Sequence, residues 1–255
     1  MSKAKTGPGI HPIPDGAGSK TSSQTARATL TLREMLVRGE LRPGDRIKEV
    51  PLAAQLGISR IPLHLALERL KHEGFLEAGL KRGFIVQKFS RADIWDSIEL
   101  RGLLEGAAAR MAAERVRDPG ELTLLEETGK EIAKLVRGPK LTIKTFARYI
   151  ELNAKFHSAL VELAQSRMLR RAIERVCSLP FASPSAFLSR QYVSPDVRYL
   201  FQIAADQHLG IVDAIRNREG MRAETLTREH ARVARRNLDD ALATPAADRE
   251  TFLNA

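Results

Sequence analysis

The first pattern along the chain is a helical stripe of apolar residues between about Thr25 and Gly39. The stripe comprises Leu30, Leu32, Met35, Leu36 and Val37. This spacing predicts an amphipathic helix, which Gly39 ends. Residues 1–22 before it are rich in Gly, Pro, Ser and Lys and poor in apolar side chains. Such a segment cannot bury enough surface to offset its ordering entropy, so we expect a disordered tail.

Two short helices separated by a turn come next. The first spans Lys48–Leu56, Gly57 forms the turn, and Ser59 is a favourable N-cap for the second helix, which ends at Gly74. The buried stripe predicted for the second helix is Leu63, Leu67 and Leu70. Two helices at this spacing are typical of a helix-turn-helix, which places its second helix in the major groove of DNA.

A β-hairpin is predicted directly after this second helix. Its strands are Phe75–Glu77 and Phe84–Val86, which would make the domain at residues 23–90 a winged helix-turn-helix. Lys81 and Arg82 lie at the predicted hairpin tip and suit a minor-groove or phosphate contact. A solvated turn is the alternative for both.

The polar side of the second helix carries the other candidate DNA contacts. Arg60 is the main candidate for base recognition, because its guanidinium matches the O6 and N7 atoms of guanine. Ser59 lies beside it, and His64 and Lys71 follow on the polar side, where they suit contacts to a base or a phosphate. A solvated helix face is the alternative for these residues.

Charge and composition agree with a nucleic-acid partner. Residues 1–90 hold 15 Lys and Arg against 8 Asp and Glu, whereas residues 91–255 hold 26 against 23. Positive charge is therefore concentrated around the helix-turn-helix, as phosphate binding requires. The single cysteine, Cys177, excludes an intrachain disulfide, and we find neither a secretory signal nor an apolar run long enough to span a membrane. We expect a cytoplasmic protein with no membrane partner.

The second part of the chain shows helical patterns and almost no strand signal. Its predicted helices span about 92–116, 121–136, 142–164, 167–177, 196–216 and 220–242. Gly and Pro residues separate them. We therefore predict a mainly α protein, with an antiparallel six-helix bundle at residues 91–243 and a frayed C-terminus at 244–255.

Three histidines of the bundle have a spacing that suits metal binding. Asn153 and His157 are four residues apart and share one helical face. His208 and His230 lie at similar distances from the turn near residue 218, so antiparallel helices would place them at the same height. Three imidazoles and one oxygen ligand can form a site for a divalent transition metal. Histidines that are hydrogen-bonded or surface-exposed are the alternative.

The DNA-binding part resembles a known family. The motifs GELRPGDRIKE, LAAQLGISRIPLHLALERLKHEGFLE and RGFIV closely resemble the DNA-binding domain of GntR-type bacterial transcription regulators. Two residues depart from the family pattern, because relatives often carry arginine in place of Val50 and His64. The resemblance thus implies an operator that differs from the common one, or a lower affinity.

The bundle is similar to the C-terminal FCD-type ligand-binding domain of the FadR subfamily, in the six-helix, VanR-like branch. In that domain an Asp/Asn-x-x-x-His pair and two later histidines bind a metal, matched here by Asn153, His157, His208 and His230. Relatives often carry Asp at the position of Asn153, which puts the affinity and identity of the metal in question. The resemblance implies zinc, with nickel or manganese as alternatives. It also places Arg101, in ELRGLLEGAAARMAAER, near an effector carboxylate, with a salt bridge to Glu105 as the alternative.

The function implied is that of a homodimeric repressor, cytoplasmic and nucleoid-associated, that binds a near-palindromic double-stranded DNA operator. A small organic acid at the metal site would control its affinity for the operator. An alternative is a regulator with the metal itself as effector. A metal-dependent enzyme is a remote alternative, because the sequence has no HExxH or GxSxG motif and leaves no role for a helix-turn-helix in an enzyme.

Overall fold

The computed structural model describes residues 15–79, 83–139, 142–187 and 197–243. It contains a winged helix-turn-helix followed by an all-helical domain, which confirms the predicted fold class. The predicted hairpin tip with Lys81 and Arg82 and the predicted frayed C-terminus lie outside the described residues.

The N-terminal helix α1 spans Asp15–Val37. It begins about ten residues earlier than the apolar stripe predicts, so the prediction of disorder is wrong for residues 15–22. Once the apolar half of a helix is anchored, each further residue adds a hydrogen bond without a new nucleation step, so a polar sequence can extend it. Residues 1–14 lie outside the described part.

The helix-turn-helix consists of α2, Glu49–Leu56, and α3, Arg60–His72. Between them Gly57 adopts a left-handed conformation (φ +63°), and its N–H bonds to a carbonyl of α2, which ends that helix. Ser59 occupies the N-cap position of α3 with extended backbone angles, but its side chain makes no capping hydrogen bond. Its predicted position is correct, whereas its expected capping bond is not formed.

A three-stranded antiparallel sheet forms the wing, in the order β1-β3-β2. The strands are β1 Arg46–Ile47, β2 Leu76–Ala78 and β3 Phe84–Val86. The sequence pattern predicted β2 and β3 but missed β1, because two residues after a turn leave no periodic signal. Ile85 of β3 pairs with both Arg46 and Glu77, which makes β3 the central strand.

Six helices make up the described part of the second domain, as predicted. They are α4 Arg91–Arg115, α5 Thr123–Arg137, α6 Ile143–Leu163, α7 Arg167–Cys177, α8 Val197–Arg216 and α9 Gly220–Ala243, with a 3₁₀ turn at Pro119–Leu122 before α5. A capping box between Ser90 and Asp93 starts α4, and one between Thr142 and Thr145 starts α6. The most extensive helix pairing is that of α4 with α9.

The two domains share a hydrophobic core. One cluster joins Leu32 of α1 and Leu67 of α3 to Ile98 of α4 and Leu238 of α9. Because this cluster is continuous, the bundle and the helix-turn-helix pack directly against each other.

No single described helix is long and apolar enough to cross a membrane; α2 and α3 reach that apolar length only as a pair, which is bent by 109°.

Candidate functional site

Three helices of the bundle bring polar side chains into its core. Asn153 and His157 lie on α6, His208 on α8 and His230 on α9, and each side chain is at most 5% exposed. Apolar residues on the same helix faces pack in the core, so these polar groups are buried with them. The predicted shared face of Asn153 and His157 thus points into the core.

The three imidazoles converge. One ring nitrogen from each of His157, His208 and His230 lies within 4.8 Å of the other two. His208 Nε2 and His230 Nε2 are 3.1 Å apart. The prediction that His208 and His230 stand at the same height in an antiparallel helix pair is therefore correct.

Two neighbouring side chains orient the rings. Gln207 Oε1 lies 3.2 Å from His230 Nδ1 and accepts a hydrogen bond from it, so the lone pair of the neutral ring is on Nε2. Glu105 Oε2 lies 3.0 Å from His157 Nδ1. A carboxylate behind a histidine in this way is common around metal ligands, where it fixes the ring and increases its basicity.

The surroundings favour neutral rings at two of these positions. Burial, with the neighbouring His157, holds the pKa of His208 well below its ordinary value. Burial, with His208, His157 and Arg101 nearby, lowers the pKa of His230 in the same way. Neutral imidazole is the form that binds metals, so these rings are available as ligands near neutral pH.

Glu105 is charged despite its burial. Burial alone would raise the pKa of its carboxyl, but His157 and Arg101 outweigh this effect and hold the pKa below its ordinary value. Buried charges of this kind are tolerated when they are paired. Glu105 therefore supplies one fixed negative charge beside the histidine cluster.

Several buried polar atoms of the cluster have no hydrogen-bond partner. They include Asn153 Oδ1, His157 Nε2 and His208 Nδ1, and also His157 Nδ1 and both carboxylate oxygens of Glu105. Asn153 donates through Nδ2 to the carbonyl of Pro184 at 2.8 Å, which holds the amide in place. Because buried polar atoms are almost always paired, unpaired acceptor atoms beside converging imidazoles fit a site for a metal ion.

Arg101 of α4 is buried next to this cluster. Its Nε lies 3.6 Å from Glu105 Oε2, so the predicted salt bridge is present, although that distance is too long for a hydrogen bond. Its Nη1 donates to the carbonyl of Ala182 at 2.9 Å, whereas Nε has no hydrogen-bond partner. Arg101 also lines the cavity, so the two alternatives predicted for this residue are compatible.

A cavity of about 40 Å³ joins these groups. Arg101, Asn153, His157 and His230 line it together with Phe181 and Phe187. Its volume is larger than a single water molecule needs, which suits a compact ligand. Phe181 and Phe187 belong to the segment between α7 and α8. We call the described part of this segment, residues 178–187, the cavity link.

The side of α3 that is predicted to contact DNA is exposed. Ser59, at the N-cap of α3, and Arg60 and His64 on the helix are all exposed. His64 also has contacts within the domain: its Nδ1 lies 3.2 Å from Glu49 Oε2, and its ring contacts Phe84 of the wing. Lys71, near the end of α3, forms an ion pair with Glu68.

Models of known protein families match both domains of the chain. A family model described as the FCD domain matches residues 96–233, and one described as bacterial regulatory proteins, gntR family, matches residues 24–86. The chain belongs to the GntR family. As a GntR regulator it is a DNA-binding transcription factor and not an enzyme.

Relatives of this GntR regulator are also named as transcription regulators. It is 32% identical to the Nta operon transcriptional regulator of Aminobacter aminovorans, over 72% of this chain and 80% of that protein. It is 30% identical to a probable D-xylose utilization operon transcriptional repressor of Paenarthrobacter nicotinovorans, over 76% and 82%. Among solved structures, Lar, which controls expression of the Listeria monocytogenes agr system, shares the fold with a TM-score of 0.57 at 17% identity, over 84% of this chain and 96% of that one.

Sequence reasoning about this GntR regulator missed some residues around the cluster. The sequence pattern relates Glu105 only to Arg101, four residues before it on α4. Its contact with His157 joins α4 to α6, and no local spacing relates those two helices. Gln207 precedes a histidine in the chain, but only the antiparallel pairing of α8 with α9 brings it to His230. The cavity link gave no signal beyond two prolines.

Proposed function

We propose that this GntR regulator is a repressor whose operator affinity is controlled by a small organic acid bound at a metal site in the bundle. The metal ligands would be Asn153, His157, His208 and His230. The observation that supports this most strongly is the convergence of three buried imidazoles beside a cavity, which two of them, His157 and His230, line together with the buried guanidinium of Arg101.

The donor set favours zinc. Three imidazole nitrogens and one amide oxygen suit zinc or nickel better than manganese, which prefers carboxylates and water. Since Asn153 is neutral, the negative charge comes from Glu105, the one buried carboxylate among the described residues that contacts the histidines of the cluster. When bound, a divalent ion would leave the cavity with excess positive charge, for which an anion has affinity.

Arg101 is the proposed partner of the effector carboxylate. Its guanidinium lines the cavity, its Nε has no hydrogen-bond partner, and Glu105 neutralises it only through a 3.6 Å contact. An arginine fork binds a carboxylate through two parallel hydrogen bonds. The small cavity volume limits the ligand to a compact acid unless the walls move.

The cavity link offers a physical route from the effector to the DNA. On its cavity side it is held by Arg101, which bonds to the carbonyl of Ala182, and by Asn153, which bonds to that of Pro184. Both residues are proposed to bind ligands, so occupancy of the site would act directly on two attachments of the link.

On its other side the cavity link contacts the DNA-binding domain. Phe181 packs edge-on against Phe75 with ring centroids 4.9 Å apart, and Arg33 of α1 bonds to the carbonyl of Phe187. The effector would change DNA affinity only by binding two arrangements of this link with different affinity.

The partners follow from the family. We propose a homodimer whose two helix-turn-helix domains bind the half-sites of a near-palindromic operator, and we expect it in the bacterial cytoplasm, on the nucleoid when DNA-bound. Repression fits a relative that is named a repressor.

The test uses the full chain and a DNA fragment from upstream of its own gene. Binding is measured by mobility shift with chelator, with zinc, and with zinc plus each member of a panel of small organic acids. We expect binding with zinc and release by one class of acid, together with a metal-dependent rise in thermal stability for that acid.

Other outcomes separate the alternatives. Release by zinc or nickel alone would identify the metal itself as the effector. A further outcome is that an acid releases the DNA to the same extent when chelator replaces zinc, and when Arg101→Met protein replaces the parent. That result would contradict the proposed site. Failure to bind the DNA at low salt would contradict autoregulation by a repressor.

A further inference from the structure

The DNA-binding face of α2 and α3 carries exposed apolar side chains. Val50 is 62% exposed, Ile61 68% and Leu65 47%. We propose that Ile61 and Leu65 contact thymine methyl groups in the major groove and give the operator specificity for thymine. This inference rests on the DNA binding of the GntR family and does not depend on the effector.

Their position on α3 supports a role in DNA recognition. Ile61 and Leu65 are four residues apart, so they lie side by side on one face of the helix. The buried residues of α3 lie on the other side, where Leu63, Ala66, Leu67 and Leu70 are each 0% exposed. Ile61 and Leu65 are therefore not needed to hold α3 on its domain. They lie in the N-terminal half of α3, the half that reaches base edges in helix-turn-helix proteins.

The neighbouring charges fit the same partner. Arg60, directly before Ile61, is exposed and suited to phosphate or guanine. His64 lies between Ile61 and Leu65 in sequence, but Glu49 occupies its Nδ1 side. In the described part of this face, the guanidinium fork of Arg60 thus lies beside two apolar side chains.

The chemistry of the groove selects thymine. Along the floor of the major groove, the edges of adenine, guanine and cytosine present hydrogen-bonding groups, whereas thymine adds a C5 methyl group. An apolar side chain that enters the groove gains free energy by covering that methyl and loses it by covering a donor or acceptor. Two side chains one helical turn apart are separated by about 6 Å along the helix, so they reach bases at most about two base-pair steps apart.

The experiment starts with the full-length protein and a duplex library with a random core. Bound duplexes are recovered and sequenced, and we expect each enriched half-site to contain thymines beside a guanine. The enriched duplex is then synthesised with deoxyuridine in place of each of these thymidines in turn. Uracil keeps every hydrogen-bonding group of thymine and removes only the methyl.

We expect affinity, measured by fluorescence anisotropy, to fall about fourfold for each contacted methyl that is removed. Ile61→Ser and Leu65→Gln should weaken binding to the thymine duplex by a similar factor. Each variant should also lose the sensitivity to uracil at its own position. Leu124→Gln, which replaces a 48% exposed leucine on α5, is the matched control and should behave like the parent protein.

Two results would overturn the proposal. One is an enriched duplex that binds equally well with uracil, and the other is full uracil sensitivity retained in both variants. A library without any enriched core would contradict sequence-specific DNA binding itself, and so is distinguishable from a failure of thymine recognition alone.

Discussion

Arg33 of α1 and Glu73, which follows the last residue of α3, form a buried bidentate ion pair. Arg33 Nε lies 3.1 Å from Glu73 Oε2, and Arg33 Nη2 lies 2.7 Å from Glu73 Oε1. The remaining nitrogen, Nη1, donates to the carbonyl of Phe187 in the cavity link at 2.9 Å. The C-terminal end of α3 is thereby tied to the wall of the cavity.

Replacing one member of this pair should be strongly destabilising. Arg33→Met leaves the Glu73 carboxylate buried without its main partner, and we expect a loss of about 3–5 kcal/mol in the free energy of unfolding. Arg33→Met combined with Glu73→Leu should cost much less, because no charge stays buried. Urea denaturation measures both; a double variant as unstable as the sum of the single ones would contradict this account.

Gly74 should be far less replaceable than Gly57. Both follow a helix with positive φ, +74° and +63°, so alanine meets similar backbone strain at each, about 1–2 kcal/mol. At Gly57 a Cβ would have open space, whereas at Gly74 it would lie 2.1 Å from the carbonyl oxygen of Ser178. We expect Gly74→Ala to exceed Gly57→Ala by at least about 1 kcal/mol in urea denaturation. Equal values would mean that the cavity link moves freely away from α3.

Asn153→Asp should increase zinc affinity. The carboxylate adds a negative charge at the proposed ligand position without changing the shape of the side chain, so we expect binding at least about tenfold tighter. Competition with a chromophoric chelator gives the constant. His72→Ala, at an exposed position of the DNA-binding domain, is the control and should leave it unchanged. No gain with Asp would remove residue 153 from the proposed ligand set.

Glu105→Gln should weaken zinc binding about 10- to 100-fold, because the carboxylate behind His157 both orients the ring and makes it more basic. Glu114→Gln, at a 59% exposed side chain on the same helix, is the matched control. The same chelator competition applies. Unchanged affinity in Glu105→Gln would mean that Glu105 serves only to neutralise Arg101.

Cys177 should react slowly in the folded protein. Burial, with the nearby charge of Glu105, raises the pKa of its thiol to about 12. At pH 8 its thiolate fraction is then about a thousandth of that of an ordinary cysteine, and only the thiolate reacts. Ellman's reagent at pH 8 should label it quickly in urea and very slowly without. Equal rates would contradict this environment.

Local and short-range features were predictable from the sequence. Helical spacing gave the helix-turn-helix and the bundle, and counting from the turn near residue 218 placed His208 beside His230. Features that depend on long-range packing were not predictable: Arg33 and Glu73 are 40 residues apart in the chain, and nothing in either local pattern relates them. The bond missing at Ser59 was not predictable either, because N-cap preference specifies a position and not the rotamer of the side chain.

Three polar attachments of the cavity link are made to its main chain. Arg101, Asn153 and Arg33 bond to the carbonyl oxygens of Ala182, Pro184 and Phe187, not to their side chains. Substitutions along this segment can therefore reshape the cavity wall while the three acceptors stay in place. Evolution can thus retune which molecule the proposed site accepts while the main-chain bond from Phe187 to Arg33 of the DNA-binding domain is retained.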